Sequence, residues 1–326
     1  MKFNGDTMPL NKAIGISDLT SSESSLKRFT FLCNIVKLER GLNKQKLFKI
    51  AKETSPSPFK NPNVTGRHLA IMQKIGLIED LGGAYILTSD GKVLCELSQE
   101  PILSSKLTFV EQAIFMKNLF SSLVRRQLVE LLQVIMNNRN EINKKIVYDF
   151  FSTQLAISLW NKITVERNLT RLRDSGKIPT FFVNKFTCME RWLEDLGLIR
   201  RINGRIDITN NGIIILSEIK KLDSPRDEIC QILGKILVDK AIFFDLTEHK
   251  DLLTKKFREA FSLFKIDSNV GDIKAIQLFL CLEFLKQGII MEDKAFPSII
   301  DKLSSDGLIR SVMLGRDGKL GYVALS

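Results

Sequence analysis

The chain has few side chains of the kinds that do acid–base, nucleophilic or metal chemistry. Its two histidines, His68 and His249, lie far apart, and neither has neighbours at metal-ligand spacing. No glycine-rich loop ending in Gly-Lys-Ser/Thr is present to bind nucleotide phosphates, and no Gly-x-Ser-x-Gly is present to hold a serine nucleophile. We therefore expect no catalytic residue, no metal and no cofactor, and a binding protein is favoured over an enzyme.

One carboxylate pattern keeps an enzyme open as an alternative. Asp207 is followed, after the apolar run 213–216, by Glu218-Ile219-Lys220, which resembles the Asp…Glu-x-Lys core of metal-dependent restriction-like nucleases. The resemblance implies two carboxylates on Mg²⁺ and a lysine that assists the attacking water, with Glu and Lys on the same side of a strand. Against it, the same stretch aligns with 88–97, where we expect a helix.

The cysteines and the apolar runs indicate a compartment. The five cysteines are scattered, and none form a Cys-x-x-Cys pair: Cys33, Cys95, Cys188, Cys230 and Cys281. This pattern fits buried thiols in a reducing compartment. Residues 1–11 lack a signal-peptide core, and no apolar run is long enough to cross a bilayer. We expect a cytoplasmic protein without a membrane partner.

The charge balance indicates the class of partner. Lys and Arg number 48 against 37 Asp and Glu, which gives a net charge of +11. Clustered cations release counterions from phosphate, so a basic protein of this kind favours polyanions. A hydrophobic fraction of 44% is enough for packed cores, and the length predicts two or three domains.

An internal repeat organises the chain. Residues 68–97 and 189–219 share one pattern, and 296–325 carry a looser copy of it. Each copy has apolar residues at helical spacing, then a glycine that can end a helix, then two short apolar segments around a turn. In the two closer copies a threonine then precedes a further apolar segment, at Thr88 and Thr209.

The residues at the breaks predict the local structure. Gly76 and Gly197 are placed to end the helices, and Gly82-Gly83 and Asn203-Gly204 are placed to turn tight hairpins. Thr88 and Thr209 are expected to cap the helices that follow. The repeat therefore predicts helix, hairpin and helix in each of the two closer copies.

A helix followed at once by a hairpin resembles the second half of a winged-helix unit, as found in the winged-helix DNA-binding superfamily. We expect a mainly α fold with small β-hairpins, in which tandem winged-helix units are joined by helical linkers. The expected organisation is a mobile N-terminal arm (1–22), a first unit (23–100), a helical linker (101–144), a second unit (145–222), a helical connector (223–272) and a third, winged-helix-like unit (273–326).

The resemblance implies that the third helix of a unit enters the major groove and that the wing lies on the flanking backbone. The second unit has the most basic residues at these places: Lys185 and Arg191 on the helix, Arg200, Arg201 and Arg205 on the wing, and Arg167 and Arg171 upstream. The alternative is a solvated wing whose arginines pair with Glu194, Asp195 or Asp207.

The other two units offer fewer candidates. In the first, Arg67 and Lys74 lie on the expected third helix and Lys60 precedes it, but the wing carries Glu79 and Asp80. His68 fits a surface or packing role better than that of a ligand or base. In the third, Arg316 and Lys319 lie on the hairpin.

The expected function is binding of double-stranded DNA, as a transcription regulator, a replication initiator or the DNA-recognition subunit of a restriction or defence system. The alternative from another class is a scaffold that uses its winged helices to hold protein subunits, which include a second copy of itself. Winged-helix folds serve both purposes, so the fold does not decide between them.

Overall fold

A computed structural model describes residues 25–39, 41–98, 103, 106–122, 124–138, 146, 149–150, 178–203, 205–219, 229–238, 240–314 and 320–325. The described chain is mostly helical with small sheets, as expected. None of its helices in these ranges has the length and apolar character needed to cross a membrane.

The described helices are divided between the two halves of the chain. In the N-terminal half they are α1 (Lys27–Leu38), α2 (Lys44–Thr54), α3 (Pro62–Lys74), α4 (Ser89–Leu97), α5 (Phe109–Phe120) and α6 (Arg125–Asn137). In the C-terminal half they are α7 (Ile178–Asp195), α8 (Asn210–Ile219), α9 (Ile229–Leu237), α10 (Lys250–Phe264), α11 (Ile273–Lys286) and α12 (Phe296–Ser305).

The strands form small sheets between the helices. They are β1 (Ile78–Leu81), β2 (Ala84–Leu87), β3 (Ile199–Ile202), β4 (Arg205–Ile208), β5 (Ile242–Phe243), β6 (Lys265–Asp267), β7 (Val270–Asp272), β8 (Ile289–Ile290), β9 (Ile309–Leu314) and β10 (Leu320–Leu325). Strands β1–β2 and β3–β4 are antiparallel hairpins, β5 and β8 pair in parallel, and the last sheet has the order β6-β7-β10-β9.

The two closer copies of the repeat share their hydrogen bonds as well as their elements. The Thr88 hydroxyl donates to the Gly76 carbonyl at 2.7 Å and accepts from the Gly91 amide at 3.1 Å. The matching bonds in the second copy, from Thr209 to Gly197 and from Gly212 to Thr209, measure 2.8 and 3.1 Å. Each threonine therefore caps a helix and also ties it to the end of the helix before the hairpin.

Two expectations about the connecting segments need correction. The interval 223–272, expected to be a helical connector, also contains β5, β6 and β7. Strand β7 pairs with β10 at the far end of the chain, and such a non-local pairing has no local sequence signal. In the sequence, Gly176 and Pro179 also predict a break in the chain at 176–179, but α7 begins at Ile178 and has Pro179 in its first turn, where a proline is tolerated.

One continuous core joins the repeats, with α11 buried on almost all sides. At its start, Asp272 binds the first repeat through Lys92, at 2.8 Å, and through the Ser89 hydroxyl, at 3.0 Å. In a second contact, the Leu26 amide donates to Asp195 at 3.0 Å, which joins α1 to the end of α7. The repeats are thus packed against one another through specific polar contacts.

Candidate nucleic-acid interface

The second wing is the hairpin of β3 and β4. It presents its three arginines to solvent, but two of the three are already paired with carboxylates. Arg200 is 60% exposed and lies 3.4 Å from the Asp207 carboxylate across the hairpin. Arg201 is 47% exposed and pairs with Glu190 and, at 3.6 Å, with Glu194. Arg205 is exposed and forms no ion pair with any described residue. The sequence alternative, in which carboxylates of this unit neutralise the wing, is therefore realised for Arg200 and Arg201.

The carboxylates behind this wing sit at the buried end of α7. Burial raises the pKa of Glu190 to about 7, an effect that the nearby Arg201 only partly opposes. Burial likewise raises the pKa of Asp195 to about 6, although the hydrogen bond from the Leu26 amide acts in the opposite direction. The charge of this cluster, and with it the net charge of the second wing, therefore changes with pH near neutrality.

The second unit has four further predicted DNA contacts, of which two lie in the described part of the chain. Arg191 is exposed on α7 and interacts with neighbouring carboxylates, while Lys185 lies on the same helix. Arg167 and Arg171 lie outside the described residues.

The nuclease pattern does not have the expected strand geometry. Glu218 lies on α8, a helix, and its carboxylate binds Lys235 at 2.9 Å. Asp207 is on β4 and is engaged with Arg200. Lys220 lies outside the described residues, among which no group of three or more His, Cys, Asp or Glu side chains could hold a metal ion.

In the first unit the structure places His68 in the core. Its ring is fully buried against Phe29 and Phe59, with centroid separations of 5.9 and 5.8 Å. Nδ1 lies 2.8 Å from the Val64 carbonyl, which can only accept, so this nitrogen carries the proton. Burial lowers the pKa of His68 to about 4 and keeps the ring neutral. His68 therefore packs the core, and of the two roles that the sequence left open the surface one is wrong.

The same unit has a basic surface of which the sequence indicated only Lys60. We define the lysine surface by four exposed side chains around α2 and the loop that precedes α3: Lys46, Lys49, Lys52 and Lys60. None of the four forms an ion pair with a described residue. Glu53 is the one acidic side chain within α2. The signal that could have revealed this surface was the run of lysines on the polar face of an amphipathic helix.

Helices α2 and α3 approach closely beside this surface. The aliphatic part of Lys44 crosses Gly66 so tightly that an added Cβ would lie 2.6 Å from its Cε. The side chain of Asn43 caps α2 by accepting from the Lys46 amide at 3.0 Å, and the side chain of Asn61 caps α3. Arg67 is half-buried and Lys74 exposed on α3, so both predicted candidates of this unit lie on the helix next to the lysine surface.

The third unit contributes scattered cations. Arg310 is exposed on β9, whereas Arg316 and Lys319 lie outside the described residues. A groove of about 790 Å³ runs between α10 and the junction of α12 with β9, and its lining includes Lys255 and Arg258. The groove is of mixed charge, because Asp251 and Asp306 also line it.

No protein-family model, no curated protein and no solved structure matches this chain.

Proposed function

We propose that the protein binds double-stranded DNA through winged-helix units, with the lysine surface of the first unit as its main phosphate contact. The observation that carries the proposal is a set of four exposed lysines without ion pairs in the described chain, on the helix pair before a hairpin. Exposed lysines without ion pairs gain the full counterion release when they meet phosphate, whereas the charge of a paired arginine is already partly neutralised by its carboxylate.

The pairing of strands supports the winged-helix assignment. In the first unit Leu42, between α1 and α2, forms an antiparallel bridge with Tyr85 of the wing. In the third unit β7, between α10 and α11, pairs with β10 of the terminal hairpin. In both units, therefore, the segment between the first two helices pairs with the second strand of the hairpin. On this basis we place the start of the third unit at Lys250.

The second wing remains a predicted contact of lower weight. Arg205 is its cation without an ion pair among the described residues, and the charges of Arg200 and Arg201 are partly neutralised by the carboxylates that they contact. The second unit also carries the exposed Arg191 on α7, whereas the wing of the first unit carries the acidic Glu79 and Asp80. The two units therefore differ in charge.

The test compares two triple variants on one mixed-sequence duplex. Lys46→Ala with Lys49→Ala and Lys52→Ala should weaken binding to all sequences and reduce the salt slope by about 3, since each phosphate contact contributes about 0.9. Arg200→Ala with Arg201→Ala and Arg205→Ala removes the same formal charge and serves as the matched control. It should reduce the slope by about 1. Equal slopes for wild type and the lysine variant, both folded by circular dichroism, would contradict the proposed site.

A protein scaffold is the second candidate function. It is favoured by the adjacent exposed side chains of Ile242 and Phe243 on β5, because neighbouring exposed apolar residues are typical of protein-binding surfaces. Absence of duplex binding at low salt would leave this candidate in place of the first.

A further inference from the structure

The two wings present the same arrangement with opposite charge. Strands β1 and β3 each begin with a buried isoleucine, Ile78 or Ile199, and continue with three exposed residues. Matched through the repeat, these positions hold Glu79 against Arg200, Asp80 against Arg201, and Leu81 against Ile202. Each acidic side chain of the first wing therefore has a basic counterpart at the same place on the second.

The acidic residues of the first wing and the arginines of the second wing are both exposed to solvent. Glu79 and Asp80 are exposed and form no ion pair with any described residue, while the Gly83 amide donates to Asp80 at 2.6 Å and fixes that carboxylate at the turn. Arg200 and Arg201 are paired within their unit, but a guanidinium has five donors and can serve a second carboxylate from its exposed side.

The strands also offer open backbone edges. Strand β1 pairs with β2, and β3 pairs with β4, and in the described chain no strand lies on the outer side of either. Two such edges can add to one another through main-chain hydrogen bonds. Paired in parallel, the two strands would place Glu79 opposite Arg200 and Asp80 opposite Arg201. Leu81 and Ile202, 59% and 46% exposed, would supply an apolar contact at the tips.

We propose that the first wing of one copy docks on the second wing of another copy. The two complementary edges belong to the same chain, so each copy can donate one and accept the other, which makes the contact head-to-tail and open to chain growth. The contact area of two hairpins is small, so the association is weak and sensitive to salt. The proposal concerns self-association and does not depend on DNA binding.

The test is sedimentation equilibrium of the full chain without DNA, at low salt and high protein concentration. Wild type should show concentration-dependent association that is lost as salt increases. Glu79→Arg and Arg200→Glu should each weaken association by about tenfold or more, because each puts like charges opposite one another. Combining both changes in one chain should restore it.

Mixing the two single variants supplies the decisive arm, since it needs no doubly substituted chain to fold. Each variant alone should associate about tenfold or more weakly than wild type, and the equimolar mixture should recover association, because each junction between the two variants pairs opposite charges at these positions. Glu248→Arg and Lys240→Glu, at exposed residues outside both hairpins, are matched controls and should behave as wild type. A monomeric wild type at low salt, or a mixture that stays monomeric while wild type associates, would overturn the proposal. Duplex binding by the lysine surface could still hold in either case.

Discussion

At the scale of single residues, the environment of a charge decides what it can do more than its type does. Four lysines around α2 stay exposed and without ion pairs in the described chain, while Arg201 is drawn to Glu190 and Glu194 on α7. Two effects act in opposite directions on Glu190: burial raises its pKa, and the nearby Arg201 lowers it. Burial dominates, and the pKa is about 7. The second wing is therefore less basic in effect than its sequence indicates.

Glu190 should make stability depend on pH. Its pKa is about 7 in the folded chain against an ordinary value of 4.5, so the folded state holds the proton more tightly and stability falls as pH rises through this window. With a discount for solvent screening, we expect a loss of about 1–2 kcal/mol from this residue between pH 5 and 8. Urea unfolding at both pH values should show a smaller difference in Glu190→Gln than in wild type. An equal difference in the two proteins would show that this carboxyl does not titrate there.

At the scale of elements, the sequence predicted the repeated helix–hairpin–helix segments because their determinants are local. Gly76 and Gly197 have φ of +72° and +70°, a backbone region that favours glycine, and Thr88 and Thr209 cap the next helices. The pairing of β7 with β10 was not predicted, since it joins segments far apart in sequence. The pairing of Arg201 with Glu190 likewise depends on how the wing folds back onto α7, although Glu194 and Asp207 were foreseen as partners of the wing arginines.

The helix after each hairpin should tolerate no side chain at its closest approach. A Cβ on Gly91 would lie 2.2 Å from the Leu77 carbonyl oxygen, and one on Gly212 would lie 2.2 Å from that of Leu198. Because these neighbours are backbone atoms, we expect Gly91→Ala and Gly212→Ala each to lower the free energy of unfolding by about 1–3 kcal/mol. Thermal unfolding followed by circular dichroism measures this.

The matched control for Gly212→Ala is the preceding residue on the same helix. Asn211→Ala leaves the approach of α8 to the hairpin unchanged, so its midpoint should stay close to wild type. A Gly212→Ala protein as stable as the Asn211→Ala protein would mean that the helix can move away from the hairpin at little cost.

At the scale of the whole molecule, polar contacts hold the repeats together at defined points. Asp272 is mostly buried, caps α11 by accepting from the Ala275 amide at 3.2 Å, and binds Ser89 and Lys92 of the first unit. The units therefore share one core, and the relative placement of their wings and of the lysine surface depends on a few such residues.

Removal of the Asp272 carboxylate should weaken the whole chain. Asp272→Ala loses the cap and leaves Ser89 and Lys92 without this partner, so we expect the free energy of unfolding to fall by about 2 kcal/mol. Asp267→Ala, an exposed carboxylate on neighbouring β6, is the control and should change it little. The urea midpoint of each variant measures the effect, and equal midpoints would remove Asp272 as a link between units.

Binding of double-stranded DNA through the lysine surface is tested most sharply by the salt dependence of duplex binding by the wild-type chain. Fluorescence anisotropy with a labelled mixed-sequence duplex, between about 50 and 200 mM salt, gives the slope of log K against log salt. Four phosphate contacts from the lysine surface predict a slope of about −4 or steeper, largely independent of sequence. Absence of binding at about 50 mM salt, or a slope near zero, would contradict DNA binding through the lysine surface.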